Sequence, residues 1–207
     1  MLLNILLPFL FRRILSSWVL VLVLSGLCLG DAVPRSPVDS LSGVVDLAGS
    51  KVNPLGNSGA RAVVLVFVHF GCPISNRYAP EIQRIQQRFS KDGVDFWLVV
   101  PDAEESAGAL RNSLREFGYH MALIRDPDQS LVRLSQVAVT PEVAVFLPGG
   151  QLVYHGRIDN RHADFGCTRP VPTRRDLVDV LESIRAGKPV PFHTSSPVGC
   201  SIPPLNP

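Results

Sequence analysis

Cysteine is scarce in this chain: four among 207 residues, at positions 28, 72, 167 and 200. That is too few to build a disulfide scaffold, and no pair has zinc-type spacing. An excess of one charge sign is also lacking. Twenty Lys and Arg against 18 Asp and Glu leave a formal net charge of +2. The basic residues are scattered, which argues against a nucleic-acid-binding footprint. No internal repeat occurs. Charged residues make up only 18% of the chain and hydrophobic ones 46%, a balance that argues against disorder and supports one real core. A further absence bears on chemistry. In the run Gly71-Cys-Pro-Ile-Ser75, position 75 holds Ser, so Cys72 has no partner two residues beyond Pro73 and a local Cys-x-x-Cys ring closure is excluded.

One long uncharged apolar run is present, Ile14 to Leu29, preceded by Arg12 and Arg13 and followed by Gly30-Asp31-Ala32. Residues 1–32 read as a secretory signal peptide or an N-terminal membrane anchor. Phe11-Arg-Arg-Ile-Leu15 is a loose match to a twin-arginine signal, and Leu27 stands where a lipoprotein signal holds a small residue before Cys28. Cys28 therefore reads as an apolar residue of the leader. Export, periplasmic or secreted, places Cys72, Cys167 and Cys200 where disulfides persist. Residues 33–42 form a Pro/Ser-rich linker, 43–188 the folded domain, and 189–207 an extended Pro-rich tail that carries Cys200.

Within the domain, Val44–Leu47 reads as a short strand. Ala62–Val68 is a β-branched run typical of a strand buried on both faces. After Cys72, Pro73 suits a first helical turn. Tyr78, Ile82, Ile85 and Phe89 then form the apolar stripe of a helix ending near Gly93. Val94–Val100 reads as a second buried strand. Asp102 with Glu105 resembles a capping box for the next helix, whose inner stripe is Ala107, Leu110, Leu114 and Phe117. Met121–Ile124 is a short strand, and Asp126-Pro127-Asp128-Gln129 starts a helix with Leu131 and Leu134. Val143–Leu147 and Leu152–Ile158 make a hairpin through Pro148-Gly149-Gly150-Gln151. Thr173 is expected to cap a last helix with Leu177, Val180, Leu181 and Ile184 inward. Strand–helix–strand crossovers followed by an antiparallel hairpin predict an α/β fold with a mixed central sheet and helices on both faces, a three-layer arrangement.

Cys72 sits between a buried strand and a helix, where unpaired amide N–H groups favour a thiolate. Only the thiolate attacks disulfides or peroxides, so the thiol reads as a nucleophile, provided that it is open to an electrophile. The bland reading is an inert buried thiol. Pro73 rigidifies the turn or simply starts the helix. Ser75 and Asn76 are placed to donate to a thiolate, or merely to occupy the first turn. His69, on an alternating strand, points away from Phe70 and toward a face near the thiol. There it would lower the thiol's pKa or join a metal site, unless it is only solvated or hydrogen-bonded. Arg157 and Asp159 read as an exposed ion pair or turn contacts.

Phe67-Val-His-Phe-Gly-Cys-Pro73, Val139-Thr-Pro-Glu142, Gly150-Gln-Leu-Val-Tyr-His-Gly-Arg-Ile-Asp159, Ala186-Gly-Lys-Pro-Val-Pro191 and Val198-Gly-Cys-Ser-Ile202 together resemble the redoxin group of the thioredoxin-like superfamily, most of all its peroxiredoxin-like branch. The resemblance spans residues 40–202. It implies a thioredoxin-like fold and an oxidoreductase. It also implies a cis Thr140–Pro141 bond beside the thiol, presenting backbone groups to an extended substrate. The chain departs from the classical members in two places. Ser75 replaces the second cysteine of dithiol enzymes. His69 and Leu65 stand where classical peroxiredoxins hold the Thr and Pro of their peroxide site, so the hydroxyl that polarises peroxide is absent.

The second thiol is then Cys200 or an external one. Thirteen residues after Gly187 reach at most about 45 Å when extended, enough to return to Cys72. There Cys200 would resolve an oxidised Cys72. A structural Cys167–Cys200 bridge or an unpaired tail thiol are the rivals, since spacing does not fix connectivity. Cys167 answers to no motif. The expected activity is redoxin-type thiol-dependent oxidation–reduction, acting on a thiol/disulfide protein or a small-molecule peroxide, with an external reductant and no cofactor. The alternatives are a copper-handling module using Cys72, Cys200 and His69 or His193, and a non-catalytic binding domain.

Overall fold

A computed structural model of the chain describes residues 41, 43–56, 59–102 and 104–205. The leader, nearly all of the linker and Cys28 lie outside the described residues. The strands are β1 (Val45–Asp46), β2 (Ala62–Phe67), β3 (Val94–Val100), β4 (Ala122–Arg125), β5 (Val139–Thr140), β6 (Glu142–Leu147), β7 (Gln151–Gly156), β8 (His162–Asp164), β9 (Cys167–Thr168), β10 (His193–Thr194) and β11 (Cys200–Ser201). The helices are α1 (Pro73–Phe89), α2 (Ala107–Glu116), α3 (Ser130–Ser135) and α4 (Asp176–Arg185).

A seven-stranded sheet runs in the order β1-β4-β3-β2-β6-β7-β10. Strands β2, β3 and β4 are mutually parallel. Strand β6 is antiparallel to both β2 and β7. All six residues of β2 are buried, as expected of a central strand covered on both faces. Its even-numbered Val64 and Val66 belong to a core with Tyr78, Ile82, Ile85 and Phe89 of α1 and Leu177, Val180, Leu181 and Ile184 of α4. Its odd-numbered Val63, Leu65 and Phe67 pack with Leu131 and Val132 of α3, and with Ile124 and Phe146. Helices thus cover both faces, and the predicted mixed three-layer arrangement is present.

Two helix starts differ from the sequence reading. The N-cap of α2 is Ser106, whose Oγ accepts from Ala109 N–H at 3.2 Å. Asp102 and Glu105 lie in the loop before it. Thr173 does not cap α4, whose N-cap position is Arg175; its Oγ1 instead accepts from Asn160 Nδ2 at 2.8 Å. In both cases the side chain is engaged by another side chain, His69 for Asp102 and Glu105 and Asn160 for Thr173. The Pro-rich tail adds two short edge pieces. Strand β10 joins β7 in parallel, and β11 pairs antiparallel with β5. Among the described residues, no helix is long and apolar enough to cross a membrane.

Candidate functional site

Strand β2 delivers the chain to the C-terminal edge of the sheet, where a turn closes with Cys72 N–H donating to His69 O at 2.9 Å. Cys72 is the N-cap of α1, in extended conformation, and Pro73 occupies the first turn. The amide groups of Ile74 and Ser75, orphans of the helix start, favour the charged form of the Cys72 thiol. From the other side comes the end of β5. The Thr140–Pro141 bond is cis, and the Cys72 thiol donates to Thr140 O at 3.2 Å.

The tail completes the site. Cys200 lies opposite Thr140 in the β11–β5 pair, with Thr140 Oγ1 donating to Cys200 O at 3.4 Å. Its side chain packs on the core cluster that holds Cys72, and both its thiol and its backbone N–H act on the Cys72 thiol electrostatically. Burial pushes the Cys72 thiol up, but the hydrogen bonds from the Cys200 thiol and from the amides of Ser75, Cys200 and Ile74 outweigh it. The net shift is below the ordinary thiol value. Cys200 moves the opposite way, to about 11, through burial and then through the hydrogen bond and charge of Cys72. The two thiols thus shift in opposite directions, Cys72 down and Cys200 up, and the Cys72 thiolate is the form their proximity favours.

Cys72 is only 1% exposed. This runs against the expectation of an open thiol, and the cover includes the tail, since Val198 and Cys200 pack on the same core cluster. The described cysteines are all free thiols, with Cys167 exposed on β9. The structure thus brings Cys72, Pro73, Ser75, Thr140, Pro141 and Cys200 together, while Cys167 lies on the β8–β9 hairpin. Ser75 contributes through its backbone; its hydroxyl accepts from His69 N–H at 3.5 Å. Asn76 is occupied with Phe70 O at 2.8 Å.

Of the two readings of His69, an influence on the thiol and a place in a metal site, the geometry favours the second. Its Nε2 faces Asp102 at 3.5 Å and Glu105 at 3.6 Å, and it is not among the groups that shift the thiol. The two carboxylates that failed to cap α2 draw the ring to themselves. These three side chains bring one nitrogen and two oxygens within 4.8 Å of one another, a donor set for a borderline or hard divalent ion and a poor one for copper(I). His193 is likewise elsewhere, exposed on the tail, with its ring 5.0 Å from that of Tyr154. Neither histidine reading of the copper alternative fits this arrangement. A cavity of about 410 Å³ opens between Leu55, Ala62, Val63 and the Leu147–Gly150 turn, at the opposite end of β2 from Cys72.

Sequence reasoning missed two buried polar supports. Glu142 is buried, its Oε2 accepting from Ala138 and Val139 N–H at 2.9 and 3.3 Å and its Oε1 meeting His155 Nδ1 at 3.1 Å. It thereby fixes the segment that carries Thr140. A lone carboxylate inside the apolar run after Pro141 was the available signal. Asp159 is buried rather than exposed: Oδ1 accepts from Tyr78 Oη at 2.6 Å and from Arg161 N–H at 2.8 Å. Arg157 pairs instead with Asp176, at 2.8 Å. Nothing local in the sequence joins positions 78 and 159.

A mixed sheet covered by helices on both faces, with a cysteine at the start of α1 facing a cis-proline, is the frame of a thioredoxin-like redoxin. The profile of the AhpC/TSA family matches residues 31–155, more than half of the chain, and the protein belongs to that family. Among solved structures, a hypothetical protein from Sinorhizobium meliloti 1021 is 20% identical, with 77% of this chain and 88% of that one covered at a TM-score of 0.63. An uncharacterized conserved protein from Geobacillus kaustophilus is 22% identical, with 77% and 86% covered at a TM-score of 0.64. The exposed lipoprotein thioredoxin from Streptococcus pneumoniae strain TIGR4 is 19% identical, with 68% and 96% covered at a TM-score of 0.50. At such identities these three share the fold. No curated protein matches the chain.

Proposed function

We propose that this protein is an exported thiol-dependent oxidoreductase of the redoxin type, with Cys72 as nucleophile and Cys200 as resolving thiol. The observation that carries the reading is where the tail seats the second thiol: Cys200 pairs with Thr140, whose carbonyl accepts from the Cys72 thiol at 3.2 Å, at a sulfur already held at a helix N-terminus. The apolar run behind Arg12 and Arg13 supports export.

With a disulfide substrate, the Cys72 thiolate attacks one sulfur and expels the other as a thiolate, leaving a mixed disulfide. Cys200, losing its proton, attacks the Cys72 sulfur and releases the second substrate thiol. With a hydroperoxide, the thiolate attacks the terminal oxygen, the alcohol or water leaves with a proton, and Cys72 becomes a sulfenic acid. Condensation with the Cys200 thiol then releases water. Both routes end at a Cys72–Cys200 disulfide, which an external dithiol returns to two thiols by supplying two electrons. Thr140 and Pro141 position the sulfur through the Thr140 carbonyl. Pro73 and Ser75 do so through the helix start.

The test is single turnover of the reduced full chain with hydrogen peroxide and with a small disulfide. Loss of reaction in Cys72→Ser and its retention in Cys167→Ser are expected. Absence of reaction with both oxidants would overturn the reading.

A further inference from the structure

The tail does more than deliver a second thiol, because it also occupies the backbone edge of β5 beside Cys72. Strand edges recruit extended chains through unpaired N–H and C=O groups. The edge of β5 lies next to Cys72, since Thr140 O accepts from its thiol. That edge is taken by β11, with Ile202 N–H donating to Ala138 O at 3.0 Å. The approach depends on Gly199: a Cβ there would meet Thr140 O at 2.3 Å and Thr140 C at 2.7 Å.

The strand is fastened on both sides. Upstream, Ser195 Oγ meets Tyr154 Oη at 2.6 Å and accepts from Arg157 N–H at 3.2 Å. Downstream, Ile202 packs on the second core cluster, and Gln129 Nε2 donates to Pro203 O at 2.8 Å. A protein disulfide offered to Cys72 brings flanking polypeptide that must lie along Thr140. To seat it, β11 has to leave, taking away the Cys200 thiol and amide that favour the Cys72 thiolate. A small oxidant brings no chain and needs only an opening on the scale of a side chain.

We propose that β11, seated by Gly199, is the specificity element of the site: it excludes extended polypeptides and leaves Cys72 to hydroperoxides and low-molecular-weight disulfides. The proposal rests on the oxidoreductase reading above. It concerns which substrates reach the thiol pair and leaves the chemistry unchanged.

The experiment compares single-turnover rates of the reduced full chain with 2-hydroxyethyl disulfide and with insulin, a protein disulfide, in the wild type, Gly199→Ala and Ile202→Asp. Ile202→Asp loosens the other end of β11 without touching Gly199. Release of the tail is read independently by proteolysis at residues 195–203. Wild type is expected to favour the small disulfide, and each variant that frees the tail should raise the insulin-to-small-disulfide rate ratio about tenfold or more, the size of one modest contact set. An unchanged ratio in a variant whose tail is free, or a tail left in place by both substitutions, overturns the proposal. Wild type that reduces insulin as readily as the small disulfide also overturns it and leaves the oxidoreductase reading standing. Inertness of every form toward both disulfides overturns the proposal, and inertness toward hydrogen peroxide as well removes the oxidoreductase reading.

Discussion

At Cys72 two opposing influences meet: burial, which disfavours a thiolate, and hydrogen bonds from one thiol and three amides, which favour it. The donors win, so the folded thiol ionises below its ordinary value. Its thiolate is retained as pH drops past that value and is lost only as pH falls through the lower folded one. The rate of iodoacetamide modification against pH should therefore inflect below free cysteine, however slow burial makes it. In Cys200→Ala one donor is gone and the inflection should move up. An inflection that stays put would show that the amides alone set it. Tyr78 illustrates a different economy. Burial and the neighbouring Asp159 hold its phenol protonated far above the usual range, which keeps it a donor to that buried carboxylate. Tyr78→Phe removes the donor and leaves Asp159, one of whose oxygens already lacks a partner, further unsatisfied. A loss of about 1–3 kcal/mol in urea denaturation is expected.

Among the elements, α3 is the one least able to stand by itself. Six residues make fewer than two turns, and isolated helices of that length do not form in water. Asp126 supplies what the helix lacks. Its carboxylate accepts from the amides of Ser130, Leu131 and Val132 at 2.8–3.0 Å and from the Ser130 hydroxyl. Asp126→Ala should cost about 1–2 kcal/mol, the upper range for a lost cap. Because α3 covers the face of β2 opposite α1, the loss should appear as a lower denaturation midpoint with little change in Cys72 chemistry. The tail is the reverse case. It adds little sheet, and its removal should change the reactions of Cys72 far more than the stability of the fold.

For the molecule as a whole, the thiol pair joins the sheet's centre to the chain's end. Oxidation would close a loop of about 130 residues, and the chain-entropy argument sets the resulting stabilisation at about 5 kcal/mol at most. Oxidised protein should therefore unfold at higher urea than reduced protein. A non-reducing peptide map should find the Cys72 and Cys200 peptides joined and Cys167 open to alkylation. A map that joined Cys167 to either would contradict the proposed Cys72–Cys200 pairing.

Local pattern carried most of the architecture. The β-branched run at 62–67, the stripe Tyr78–Ile82–Ile85–Phe89 and the Pro-Gly-Gly turn before β7 each state their structure within a few residues, because burial period and turn chemistry are short-range properties. The strand-to-helix setting of Cys72 was legible for the same reason. Side-chain partnerships were not. Asp102 and Glu105 matched a capping pattern, yet turned to His69, and Asp159 looked like a surface residue until Tyr78 reached it across 81 positions. Reach alone left Cys200 equally able to meet Cys72 or Cys167. The position of Cys200 beside Thr140 came from the docking of the tail, where a glycine's missing Cβ lets two backbones touch. Such a fit depends on surfaces assembled from distant parts of the chain, and no window of sequence contains both sides of it.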